Sequence, residues 1–142
     1  MAHYVDTNIF LNIIYKEPKV YENSRKFLEE IHTGNITALT SSVTLLELKL
    51  NLAEGGYPEI AEKAISLIED VKNLEIAPLD KTMTKLAADH VLIDKLTIHD
   101  AYHLATAICR RAETFVTRDE ELAKKIIKYI TVKIPEEIPQ QR

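Results

Sequence analysis

The 142-residue chain carries a net charge of −4, with 46% hydrophobic and 28% charged residues, the balance of a soluble globular protein large enough to bury about two-thirds of its unfolded surface as one domain. No apolar run approaches the roughly 18 residues of a membrane span, and the net acidity excludes gripping nucleic acid by bulk positive charge. The single cysteine, Cys109, excludes an internal disulfide and fits a reducing cytoplasm, and the opening residues lack the basic segment of a secretory signal.

The opening, Ala2 to Leu11, sets the grammar of the chain. Tyr4 and Val5 suit a buried strand, and Asp6, Thr7 and Asn8 end it and start a helix, which puts the Asp6 carboxylate at a strand's carboxyl end. Taken alone, Asp6 reads better as an ordinary helix cap than as a functional acid. Ile9, Phe10, Ile13 and Ile14 recur at helical spacing until Glu17-Pro18, and a second helix is predicted from about Tyr21 to Thr33, stopped by Gly34-Asn35. Ile36 to Thr40 reads as a strand, and Ser41 and Ser42 can cap the next helix. In that helix Val43, Leu46, Glu47 and Leu50 fall on one stripe at offsets of three and four. Either Glu47 faces the core, where a carboxylate needs a partner, or the helix rolls and Glu47 reaches solvent at the stripe's edge.

After the Gly55-Gly56-Tyr57-Pro58 break, a helix from Glu59 to about Lys72 presents Ile60, Ala64, Leu67, Ile68 and Val71, followed by the strand Leu74 to Ala77. A helix from about Lys81 to Asp94 turns Met83, Leu86 and Ala87 inward, and His90 reads as a surface or boundary residue. Thr97 caps the next helix with Asp100 at its third position, and Asp100, Leu104, Ala107 and Ile108 share a stripe. Thr114 to Val116 forms a short strand that Thr117, Arg118 and Asp119 end before a further helix to about Lys128. Residues 129–134 form a final edge strand, and residues 135–142 read as an exposed tail. Strands alternating with helices predict α/β architecture, a three-layer α/β/α sandwich with a mostly parallel central sheet, in a single domain over residues 1–134.

In a parallel sheet the strand carboxyl ends share one edge, so Asp6, Glu47, Asp100 and Asp119 can meet there. Such a cluster repels itself unless a divalent cation joins it, and oxygen-only ligands favour Mg²⁺ or Mn²⁺ over Zn²⁺. Glycine-rich phosphate loops, a G-x-S-x-G elbow and paired cysteines are absent from the sequence.

Four stretches in this order resemble the PIN-domain ribonucleases, in particular toxins of the VapC type: Val5-Asp6-Thr7-Asn8, Ser41 to Leu48, Asp100 to Ala107, and Thr117-Arg118-Asp119. The resemblance covers nearly the whole chain. It implies that Asp6, Glu47, Asp100 and Asp119 form the catalytic site and hold Mg²⁺, with Mn²⁺ substituting. Asp6 and Asp100 would bind directly and Glu47 or Asp119 through water, with Thr7, Asn8 and Thr117 as hydrogen-bonding auxiliaries. It further implies endonucleolytic cleavage of RNA, a cognate antitoxin, a homodimer and no membrane association. Arg118 reads either as a phosphate contact or as a surface salt bridge. A maturation nuclease of the same fold and a catalytically silent binding module are the alternatives; retention of all four acids speaks against the silent one. His99 and His103 depart from the pattern. At i, i+4 they can chelate a transition metal, or one can be a helix-start residue and the other a packed or exposed histidine, off the stripe that Asp100 shares with Leu104.

Overall fold

In the computed structural model, which describes residues 2–139, five parallel strands form one sheet in the order β3-β2-β1-β4-β5. They are β1 (His3–Val5), β2 (Ala38–Ser41), β3 (Leu74–Ala77), β4 (Thr114–Val116) and β5 (Thr131–Lys133). Because successive strand residues point to opposite faces, β1 sends Tyr4 into one layer and Val5 into the other. Tyr4 joins Leu39, Ala77 and Phe115 beneath α5 (Lys81–Asp94), α6 (Ile98–Cys109) and α7 (Glu120–Ile126). Val5 joins Ala38, Leu74 and Val116 beneath α1 (Thr7–Ile14), α2 (Tyr21–His32), α3 (Ser42–Glu54) and α4 (Pro58–Glu69). The result is the expected three-layer α/β/α sandwich. The chain steps outward from β1 to β3 on one side and resumes with β4 on the other, so the strand order reverses between β1 and β4, the place where open α/β sheets bind ligands.

Helix starts follow the local chemistry of the sequence. Asp6, Ser41, Thr97 and Asp119 each accept a first-turn backbone N–H, satisfying donors that a helix leaves free at its start.

Three expectations are corrected. In α3 the buried residues are Val43, Thr44, Leu48 and Leu52, while Leu46 and Leu50 are 49% and 44% exposed. The helix is rotated from the predicted stripe because the Thr44 hydroxyl bonds Thr40 of β2 at 2.7 Å and Leu52 packs with Ala61 and Ala64 of α4. His90 is buried rather than at the surface. Its Nδ1 lies 2.8 Å from Asp94, whose carboxylate also accepts the Tyr129 hydroxyl and the Lys128 ammonium, so the end of α5 is tied to the turn after α7. Finally, residues 135–138 are not an exposed tail. Pro135 and Ile138 are buried, and Ile138 joins the core cluster of Phe27 and Ile36, because burying an apolar side chain outweighs leaving it in water. Of the rest of the predicted tail, residue 139 is exposed and residues 140–142 lie outside the described residues. No helix among the described residues is long and apolar enough to cross a membrane.

Ile138→Ala is expected to destabilise the protein by about 2 kcal/mol, the lower end for a buried isoleucine. Urea denaturation reads this, and a loss within experimental error of zero would remove the segment from the core.

Candidate active site

Asp6 follows the last residue of the central strand and is 5% exposed. Its Oδ1 accepts the Thr7 backbone N–H at 2.8 Å, and its Oδ2 accepts the Thr117 hydroxyl at 2.8 Å and the Asn8 amide at 3.1 Å. Asn8 also donates to Thr117 Oγ1 at 2.9 Å, and its own carbonyl accepts the Arg118 backbone N–H at 3.2 Å. Thr117 Oγ1 in turn accepts the Asp119 backbone N–H at 3.1 Å. The turns leaving β1 and β4 are thus stitched together across the point where strand order reverses, and the stitches are Asn8 and Thr117.

Glu47 reaches the same edge from α3. Its Oε1 accepts the Thr7 hydroxyl at 2.9 Å and the His103 Nε2–H. His103 is fully buried, with Nε2 3.6 Å from Asp6 Oδ1 and Nδ1 against the Tyr4 hydroxyl. A carboxylate only accepts, so the network places a proton on Nε2, while the Tyr4 hydroxyl donates to Nδ1 of the neutral ring and accepts from it when the ring is charged. Sequence reasoning set His103 apart from the acids because it does not share a stripe with Asp100 and Leu104. Positions three apart on a helix are nevertheless neighbours, and Asp-x-x-His at a helix start was the signal that could have found it. His99 stays outward with its side chain 48% exposed, and its Nδ1 comes no nearer than 4.0 Å to Glu47. The two histidines therefore form no chelating pair.

The charges feel one another. Burial raises the Asp6 carboxyl above its ordinary pKa, only partly countered by His103 and by the bonds from Thr117 and Thr7. Burial and the charge of Asp6 raise Asp100, with Asp119 adding to the effect. Burial opposes ionisation of Glu47, but the His103 bond and charge hold it below the usual carboxylate range. For His103, burial would depress the imidazole, and the bond to Glu47 with the charges of Asp6, Glu47 and Asp100 lifts it above its usual value.

The Arg118 side chain takes no part. Its guanidinium is held by Glu136 at 2.7 and 3.0 Å, Asn12 at 3.0 Å and Ser24 at 3.0 Å, which is the salt-bridge reading and not the phosphate contact.

Among the described residues no three His, Cys, Asp or Glu side chains close into a ready ligand set. The donor set still fits a hard cation. Asp6 and Asp100 are oxygen donors in surroundings that oppose their charge, and one histidine compensates only part of it, so Mg²⁺ or Mn²⁺ would supply what the crevice lacks. Asp100→Asn, which removes one of the repelling charges, is expected to raise the melting temperature in excess chelator by on the order of 2 °C. A lowered melting temperature would show that the Asp100 charge is already compensated.

The profile of the PIN domain family matches residues 3–127. No curated protein matches the chain significantly. Among solved structures the chain is similar to VapBC2 from Rickettsia felis bound to a DNA fragment from its promoter, with a TM-score of 0.71, 23% identity and coverage of 94% of this chain and 98% of that one. It is also similar to FitAcB from Neisseria gonorrhoeae, with a TM-score of 0.68, 20% identity and coverage of 96% and 99%. A third is VapC20 from Mycobacterium tuberculosis, a Sarcin-Ricin loop cleaving toxin, with a TM-score of 0.72, 13% identity and coverage of 87% and 94%. At such identities the likeness is one of fold. The profile spans most of the chain, from β1 into α7, and on that match the chain belongs to the PIN domain family.

Proposed function

We propose that this chain is a divalent-metal-dependent endoribonuclease and the toxin of a toxin–antitoxin pair. The observation that carries the reading is that Asp6 and Glu47 meet on Thr7 and His103 at one sheet edge and that Thr117 ties the Asp119 turn to Asp6, with Asp100 feeling the charges of Asp6 and Asp119. Asp6 and Asp100 would hold Mg²⁺, or Mn²⁺ in its place, with Glu47 and Asp119 acting through water. Bound there, the ion would supply the positive charge that eases deprotonation of an attacking water and stabilises the phosphate oxygens. Asn8 and Thr117 fix the Asp6 carboxylate, Thr7 fixes Glu47, and Thr117 ties the turn of Asp119 to Asp6.

Three further features support the toxin reading. The solved structures of similar fold include a toxin–antitoxin complex from Klebsiella pneumoniae. An apolar groove of about 500 Å³ runs along α1, α2 and α4, lined by Phe10, Ile13, Leu28, Ile60 and Leu67, and an antitoxin segment would cover it. The exposed Leu46, Leu50, Leu92, Ile93 and Ile98 offer the apolar surface that a second copy would cover in a homodimer. On this reading the protein is a single domain acting on RNA in the cytoplasm.

Asp6→Asn and Asp100→Asn are each expected to cut cleavage of total RNA in Mg²⁺ or Mn²⁺ by at least about 100-fold, with circular dichroism unchanged. Cleavage at wild-type rates by both variants would refute the assignment, and cleavage confined to DNA would refute the substrate class.

A further inference from the structure

His103 is the one imidazole at this edge that is completely buried, and both of its ring nitrogens are engaged. Three elements meet on it. Tyr4 of β1 abuts Nδ1, and its ring stacks on Phe115 of β4 at 5.1 Å and meets the imidazole edge-on at 5.7 Å. Glu47 of α3 accepts from Nε2, while His103 itself belongs to α6. On α6 its neighbours Ala101, Leu104, Ala105 and Ala107 are all buried, so an apolar residue would meet the packing demand of this position. The imidazole is instead a rigid donor aimed at a carboxylate.

The Glu47 side chain is 25% exposed, so water reaches it as well as the His103 donor. The bond fixes where the carboxylate points. With Oε1 taken by His103 and Thr7, Oε2 accepts no hydrogen bond from the described residues, and its nearest ion-pair partner is His99 Nδ1 at 4.0 Å.

We propose that His103, backed by the Tyr4 hydroxyl, is a positioning residue that locks Glu47 by one oxygen and presents the other, through a water, to the cation held by Asp6 and Asp100. The inference rests on the metal-dependent reading above. It assigns the Tyr4–His103–Glu47 chain the task that hydrogen-bonded partners perform behind metal ligands, where their loss weakens metal affinity by about 10–100-fold. His103 itself contacts no metal.

Direct Mn²⁺ titration by electron paramagnetic resonance tests this without reference to cleavage. His103→Leu is expected to raise the Mn²⁺ dissociation constant at least about 10-fold, while His103→Gln, whose side-chain amide can still donate to Glu47, recovers most of the loss. Tyr4→Phe, which keeps the ring on Phe115 and removes only the hydroxyl, is expected to weaken binding several-fold. If His103→Leu does not fold, Tyr4→Phe and His103→Gln decide. Wild-type affinity in a folded His103→Leu overturns the positioning role and leaves the nuclease reading standing. So does wild-type affinity in Tyr4→Phe, or failure of His103→Gln to bind better than the leucine variant or, where that variant does not fold, within a few-fold of wild type. Absence of Mn²⁺ binding by the wild-type protein overturns both.

Discussion

Carboxylates brought together out of water repel one another, and the architecture of this protein is arranged around tolerating that repulsion at one edge of its sheet. Burial opposes the ionisation of both Asp6 and Asp100, and Glu47 adds to it at Asp6 as Asp6 and Asp119 do at Asp100. What makes the arrangement bearable is a dense set of donors on Asp6: the Thr7 backbone, the Thr117 hydroxyl and the Asn8 amide. Each also satisfies a backbone or side-chain need of its own turn, so the groups that close the fold at the ends of β1 and β4 are the groups that hold the acid. A structure selected for stability alone would neutralise one of these side chains; retaining them is the expected signature of a site in which activity is favoured over stability.

The parts of this arrangement that were legible in the sequence are those decided over a few residues. Asp6, Ser41, Thr97 and Asp119 were readable as helix starts because a side-chain oxygen finds a free N–H within three positions. The strands Leu74–Ala77 and Thr114–Val116 were bounded by their own turn chemistry. What escaped was decided between elements. The roll of α3 is set by Thr44 meeting Thr40 and by Leu52 meeting α4, and no periodicity within α3 contains that information. Ile138 looked like tail because its partners Phe27 and Ile36 lie more than a hundred residues earlier.

His103 shows the same limit inside the site. Its position on α6 was countable, but its importance arises from Tyr4, Glu47 and Asp6, which belong to β1, α3 and the turn after β1. A stripe drawn through Asp100 and Leu104 separates it from the acids, whereas residues three apart on a helix are neighbours and both reach toward Asp6. The acids come into reach of one another through topology: the reversal of strand order at β1 brings the β4 turn beside the β1 turn although more than a hundred residues separate them.

Arg118 sits one position before Asp119, and its side chain runs away from the acids to clasp Glu136 beyond β5 while touching Asn12 and Ser24 on α1 and α2. The guanidinium works as a buckle. It cinches the segment after the last strand to the first two helices through the same loop that carries an acid of the crevice. Loosening that late segment would therefore slacken the loop as well, and a perturbation there would be felt mechanically at the acids without any contact to them.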